Sequence, residues 1–321
     1  MNDKKEAFNA TVLFYPNKNP KMRFFALWYF CSLLIIWTVL GHTVLGFEQA
    51  WAAPVVGLIY GLALTFFLEI VDASAKDRKL RFSGGSPAFV LFLAPAIIPS
   101  LACSMLLYAN ERLWPIMFAI TVSIGSKVLL RAPIGNGRYQ HIFNPSNFGV
   151  AVALLMFPQV GFAPPYHFTE NLVGIWDWLL PGIVLISGII VHAKYTGRLP
   201  LVGAWIIGFA AQGIIRSLMS GTPLAVPFMP MTSAAFILFT LYMIPDPATT
   251  PLNPSRQVMF GFSVAFVYGI LQLMHLVFGL FFALIIVCAL RGIFLHGKAL
   301  FGKFQAQSPI ETVPQKQVTA T

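Results

Sequence analysis

Long apolar runs, separated by short polar breaks rich in proline and glycine, fill most of this chain. A membrane-crossing helix needs about 20 apolar residues. The runs supply ten candidate spans, at about 24–46, 51–71, 87–108, 113–130, 147–163, 174–192, 199–216, 229–244, 258–274 and 276–296. The last two could be one apolar helix about twice as long as a bilayer requires. His275 marks the turn that divides them.

Two of the polar breaks carry candidate chemistry. In HIFNPSNFGVAVALLMF (141–157) a proline-stopped turn opens directly into an apolar run. Asn144 can cap the helix that follows, and Pro145 fits its first position, where no backbone N–H is needed. Such an end aims unpaired N–H groups and the positive end of the helix dipole at whatever lies beneath it. In a membrane protein that arrangement predicts a bound ligand. YMIPDPATTPLNPSRQ (242–257) repeats the device with Asp246-Pro247 and Asn253-Pro254, and Thr249 and Thr250 add hydroxyls. Its prolines stiffen the loop. Two stiff polar helix entrances on one membrane face would form a cradle for a cofactor or substrate, with Asn144, Asp246 and Thr249 in one site. The competing reading is a pair of tight turns between spans.

Composition fixes the class. The chain is 57% apolar and 10% charged, with a mean hydropathy of +0.76. That is an all-α polytopic membrane protein, and the apolar character of both halves excludes a soluble domain on an anchor. Residues 1–23 are a basic segment, and the run after them is too long for a signal-peptide core, so it reads as a retained first span. Cys31, Cys103 and Cys288 sit singly in apolar runs and read as small buried hydrophobes. Of 21 Lys and Arg, all but Arg112 and Arg216 fall on one side of the ten-span topology. The positive-inside rule makes that side cytoplasmic, with both termini there. The +10 charge therefore reflects topology and attraction to membrane lipid. A nucleic-acid partner would need a soluble basic face, and the sequence offers none. The expected location is the bacterial inner (cytoplasmic) membrane.

Ten spans divide into halves at about 24–163 and 174–296, and five per half would make the second an inverted copy of the first. SGGSPAF (83–89) before the third span and SGTPLAV (220–226) before the eighth lie on opposite faces, as an inverted pair should. Helix entrances attract Ser, Gly and Pro anyway. Residues 297–321 read as a disordered cytoplasmic tail.

Polar groups in spans are costly and need a reason. Glu69 and Asp72, beside Lys76 and Arg78, read either as interfacial pairing or as an ion pathway. Lys127 either snorkels or faces an anionic ligand near Asn144. The six histidines lack metal-ligand spacing. IGNGRYQ (134–140) has a Gly-x-Gly without a preceding strand, so it is no dinucleotide fingerprint. It reads as a flexible loop that offers Arg138 to a phosphate or lipid. The sequon Asn9-Ala10-Thr11 lies on the cytoplasmic side and is idle. No nucleophile–base pair, metal cluster or nicotinamide motif appears, so no self-contained catalytic site is visible.

FNPSNFG (143–149) followed by IPDPATTP (244–251), within ten spans, resembles the RnfD/NqrB family, which comprises the membrane D subunit of the Rnf electron-transport complex and the B subunit of the sodium-pumping NADH:quinone reductase. Phe143, Asn144, Pro145 and Ser146, with Asn147 following, match the family's helix entrance. Pro245, Asp246, Pro247 and Pro251 match its loop, with Pro245 replacing a threonine. IGSKVLLR (124–131) is similar to its lysine-ended helix. The likeness covers roughly 25–295 and is nearest to the stand-alone UnbU-type branch associated with enediyne biosynthesis. It implies two inverted five-helix repeats, flavin (FMN or riboflavin), redox partner subunits and electron transfer often coupled to cation movement. The family's S-G-A-T motif, whose threonine carries covalent FMN, is missing from the outer loop PQVGFAPPYHFTENL (158–172), where Thr169 stands alone. Covalent flavin is therefore not expected, and non-covalent flavin at the cytoplasmic motifs is. The alternatives are a non-redox channel or transporter on the same scaffold, and a membrane component of a biosynthetic complex.

Overall fold

The computed structural model describes residues 20–135, 137–162 and 171–307. Lys4, Lys5, Lys18, the Asn9–Thr11 sequon, Thr169 and the residues after 307 lie outside them. The described chain is mostly helical. Helix α1 spans Pro20–Thr43, α2 Ala52–Ala75, α3 Ser86–Leu106, α4 Trp114–Leu129 and α5 Pro145–Met156. Helix α6 (Ile175–Ile190) continues into a π turn, Val191–Thr196, and α7 spans Leu199–Ser220. A 3-10 turn (Val226–Thr232) leads to α8 (Ala234–Leu238) and its π continuation, Phe239–Met243. Helices α9 (Pro254–Leu273) and α10 (Gly279–Gln307) complete the order. Proline opens several of these helices, at α4, α5, α7 and α9, because its missing N–H costs nothing there. Gly197 and Gly221 close α6 and α7 in the left-handed conformation.

Among the described residues seven helices are long and apolar enough to cross a membrane: α1, α2, α3, α6, α7, α9 and α10. The chain is a multi-pass membrane protein. Helices α4 and α5 have 16 and 12 residues, and at 1.5 Å per residue α5 reaches only about 18 Å. The 3-10 turn before α8 bends away from the helix by 77°. Residues 274–278 divide α9 from α10, with His275 and Phe278 at φ of 54° and 62°, so the long apolar field is two helices. Helix α10 runs past residue 297, where the sequence placed a tail, to Gln307.

IGNGRYQ is not a simple loop. Strand β2 (Arg131–Gly135) pairs antiparallel with β3 (Arg138–His141). At the other end of the helices, β1 (Leu107–Tyr108) pairs with β4 (Gly161–Phe162).

Two apolar clusters hold the helices. One joins Ile120, Val150, Trp205, Phe209, Phe239, Val264 and Leu284 across α4, α5 and α7–α10. The other joins Cys31, Trp37, Leu101, Val184 and Leu238 across α1, α3, α6 and α8. Without a hydrophobic drive between helices in lipid, close backbone approach matters. A Cβ on Gly149 of α5 would sit 2.3 Å from the Ala119 carbonyl oxygen, and one on Gly261 of α9 2.6 Å from that of Leu201. Both contacts exist only because the residue is glycine.

Candidate functional site

The two proline-stopped motifs meet. Asn144 caps α5: its Oδ1 accepts from the Asn147 backbone N–H at 3.1 Å and from the Ser146 hydroxyl at 3.0 Å. Its Nδ2 donates to the Met243 carbonyl at 3.1 Å, across to the segment that carries Asp246. Pro145 offers its carbonyl to Ser123 Oγ at 2.7 Å. The Phe143 ring stacks on Phe148 at 4.4 Å, which sets the angle at which the chain enters α5.

The 244–253 loop is organised from within by Asp246. Its Oδ1 accepts from the Ala248 N–H at 2.9 Å, and its backbone carbonyl accepts from the Thr250 hydroxyl at 2.7 Å. Thr249 Oγ1 also faces the Asp246 carboxylate, at 3.4 Å. Gln140 Nε2, on β3, donates to the carbonyls of Pro247 and Thr250. Arg291 of α10 donates Nη1 to the Thr249 carbonyl and Nη2 to Gln140 Oε1, both at 2.8 Å. Arg198, buried at the start of α7, donates Nε to Thr250 Oγ1 at 2.9 Å. Hairpin, loop and three helices thus close into one buried polar body.

The charges follow from burial. Desolvation raises the Asp246 carboxyl above its ordinary range, against the Ala248 N–H, Lys127 and Arg198, which favour the anion. Burial drives His141 down to about 3, and Lys127 and Arg131 push the same way. His141 is therefore neutral at physiological pH. Lys127, near the end of α4, donates its ammonium to the Pro95 carbonyl and lies close enough to Asp246 to interact with it.

Of the sequence-predicted residues, Asn144, Ser146, Asn147, Asp246, Pro247, Thr249 and Thr250 share this body, and Lys127 borders it. Arg138 does not join: it is exposed on the hairpin. Glu69 and Asp72 form a separate cluster. Arg78 grips Glu69 with two nitrogens at 2.6 and 2.9 Å and Asp72 with one at 2.5 Å, while the Arg81 N–H donates to Glu69 at 2.7 Å. Glu69 holds the Arg78 guanidinium charged well above its usual range. A carboxylate with a side chain 3% exposed and filled by these donors is a brace for the α2–α3 loop.

The sequence reading missed Gln140, His192, Arg198 and Arg291 as members of the site or its frame. His192 bridges the two π turns through Thr196 Oγ1 at 2.8 Å and the Leu241 carbonyl at 2.5 Å. A lone arginine inside an apolar helix is a functional flag, and Arg291 carried it. Asn136-Gly137 is a hairpin-turn signal, and it would have placed Gln140 on a strand.

Most polar atoms of the cradle are satisfied inside the protein. An exception is Asn147, 1% exposed, whose Nδ2 donates to the Phe281 carbonyl at 3.2 Å while Oδ1 is buried without a donor. The cations of this region are engaged within the protein, Lys127 with the Pro95 carbonyl and Arg291 with the Thr249 carbonyl and Gln140. Among the described residues no group of three or more His, Cys, Asp or Glu is placed to hold a metal. No protein-family profile matches the chain, and no curated protein sequence matches it.

Proposed function

We propose that the chain is an inner-membrane subunit of a flavin-dependent electron-transport system. In this reading it crosses ten times, as two inverted sets of five helices with cytoplasmic termini. It binds FMN or riboflavin non-covalently at the cytoplasmic junction of the two proline-stopped motifs and passes electrons to partner subunits. The observation that carries the reading is the junction itself. Asn144 and Met243 are 99 positions apart in sequence and share a hydrogen bond beside an unmet buried acceptor, Asn147 Oδ1. Bound flavin would supply one- and two-electron chemistry. The chain's own part is to present Asn147 as an acceptor, to set Lys127 and Arg291 as positive charge near the ligand, and to exclude water by burial. The test is a fluorescence titration of flavin-stripped protein with FMN and riboflavin. Saturable quenching that weakens in Asn147→Leu supports the site, and quenching that Asn147→Leu leaves unchanged contradicts it. No fluorescence should remain on the band after denaturing electrophoresis, since S-G-A-T is absent.

A second reading, a non-redox channel or transporter on the same scaffold, draws on the interrupted helices. The short α4 and α5, the 77° bend before α8 and the paired π turns are the kind of broken helix that lines a translocation path. Flux of a labelled ion in proteoliposomes without any redox couple would favour it.

A further inference from the structure

On the side of the helices that carries the motif junction, two guanidiniums from different elements act on each other. Arg81 lies in a short 3-10 turn (Arg81–Ser83) before α3, and Arg131 is the first residue of β2. Both are fixed by the fold. The Arg81 backbone N–H donates to Glu69 at 2.7 Å, and the neighbouring Phe82 ring packs on Phe66 at 5.1 Å and on Phe92 at 5.3 Å. Arg131 donates Nε to the Lys127 carbonyl at 2.5 Å, and its own carbonyl accepts from His296 Nε2 of α10 at 3.0 Å. Across the hairpin it stands opposite His141.

Their donors are not used up. The Glu69 and Asp72 oxygens are taken by Lys76, Arg78 and the Arg81 backbone N–H. The Arg81 guanidinium stands 3.6 Å from each carboxylate, beyond hydrogen-bond reach. Its side chain is 39% exposed and donates to nothing among the described residues. Nη1 and Nη2 of Arg131 have no acceptor there either, and neither is sealed from the surface. Burial lowers the Arg131 guanidinium from its ordinary value, and the like charge of Arg81 lowers it further, against Asp72. Two held forks of like charge are completed by an anion between them, and their planar donors match the oxygens of a phosphate.

The surroundings say which phosphate. Helices α2 and α3 are both long and apolar enough to cross the membrane, so the connection between them, with Arg81, lies at the membrane boundary. Val128 and Leu129, at the end of α4 just before Arg131, are 51% and 80% exposed. Charge that borders exposed apolar surface at this level fits a lipid headgroup above its acyl chains. We propose that Arg81 and Arg131 form a phosphate site for an anionic phospholipid, whose acyl chains run along Val128 and Leu129. The surplus of positive charge over Glu69 and Asp72 selects a lipid of net negative charge over a zwitterionic one. The site is independent of flavin.

Native mass spectrometry of the full-length protein in mild detergent, with phosphatidylglycerol or phosphatidylcholine added at equal concentration, tests it. The first phosphatidylglycerol should bind in preference to phosphatidylcholine. Arg81→Gln and Arg131→Gln should each weaken it about fivefold, the worth of one basic residue at an anionic surface. Arg138→Gln removes the same charge at the turn end of the hairpin and should leave binding unchanged. The Arg81 side chain makes no hydrogen bond among the described residues, so that variant should keep the wild-type melting temperature. Equal binding of the two lipids overturns the proposal, as does phosphatidylglycerol binding that Arg81→Gln leaves at the wild-type level. An equal loss in all three variants also overturns it, since general surface charge would then account for the binding. Displacement of phosphatidylglycerol by an equal concentration of inorganic phosphate would assign the site to a free anion and overturn the lipid.

Discussion

The ammonium of Lys127 donates to the carbonyl oxygen of Pro95. In a regular helix that oxygen would accept from the N–H of residue 99, but residue 99 is proline and has none. The buried cation of α4 therefore answers a defect in α3, and one proline accounts for a polar group at this depth. Lys127→Met should cost about 1.5–3 kcal/mol, the range for a hydrogen bond to a charged group. Pro99→Ala returns an N–H to Pro95, so the same Lys127→Met change made in that background should cost markedly less. Melting temperatures of the four proteins of this cycle give the coupling. Purely additive effects would show that Lys127 is not held by the Pro95 carbonyl.

Asn144 acts twice, as helix cap and as donor to Met243. Asn144→Leu removes both and should lower stability by about 1 kcal/mol for the cap alone, and further for the lost donor. Asn144→Asp keeps a capping oxygen and loses the donor, so its melting temperature should fall between those of the wild type and Asn144→Leu. Flavin content measured on the same samples separates a ligand site from a helix stop. A loss of stability with flavin occupancy unchanged would make the motif structural only.

Acid should destabilise the protein through His141. Its folded value, near 3, lies below the ordinary 6.5. The unfolded chain therefore takes up the proton first. The stability from a neutral His141 is complete above about pH 6.5 and is lost as pH falls toward 3, at up to about 1.4 kcal/mol per unit. Melting temperatures at pH 7, 6 and 5 should fall steeply for the wild type and less steeply for His141→Asn, which cannot titrate. Parallel slopes would assign the acid sensitivity to other groups.

Topology is testable without a reporter domain, since the three native cysteines are buried. Lys79→Cys should react with a membrane-impermeant maleimide only in inside-out vesicles, and Glu111→Cys only in intact spheroplasts. Labelling of both from one side would remove the inverted-repeat argument.

Local chemistry was legible in the sequence. Asn144 and Asn253 are side-chain caps ahead of Pro145 and Pro254, and His275 lies where α9 gives way to α10. What was hidden depends on distant parts of the chain. Gln140 meets Thr250, and Arg291 meets Gln140, and no local periodicity encodes such pairs. Hydropathy also cannot separate a full span from a shorter helix in an apolar field, so α4 and α5 read as ordinary spans. The bond from His192 to the Leu241 carbonyl, which joins the two π turns, is likewise tertiary information. Glu69 and Asp72 left two readings open, and the grip of Arg78 favours pairing.

The central claim is that this membrane protein holds flavin at the Asn144–Asp246 junction without a covalent bond. Its most direct test is the visible absorption spectrum of the protein purified in mild detergent, recorded before and after denaturation and filtration. The account predicts flavin bands on the native protein, reduced in Asn147→Leu, that pass entirely into the filtrate once the protein is unfolded. A well-folded wild-type protein without flavin bands, before and after incubation with FMN and riboflavin, would contradict it.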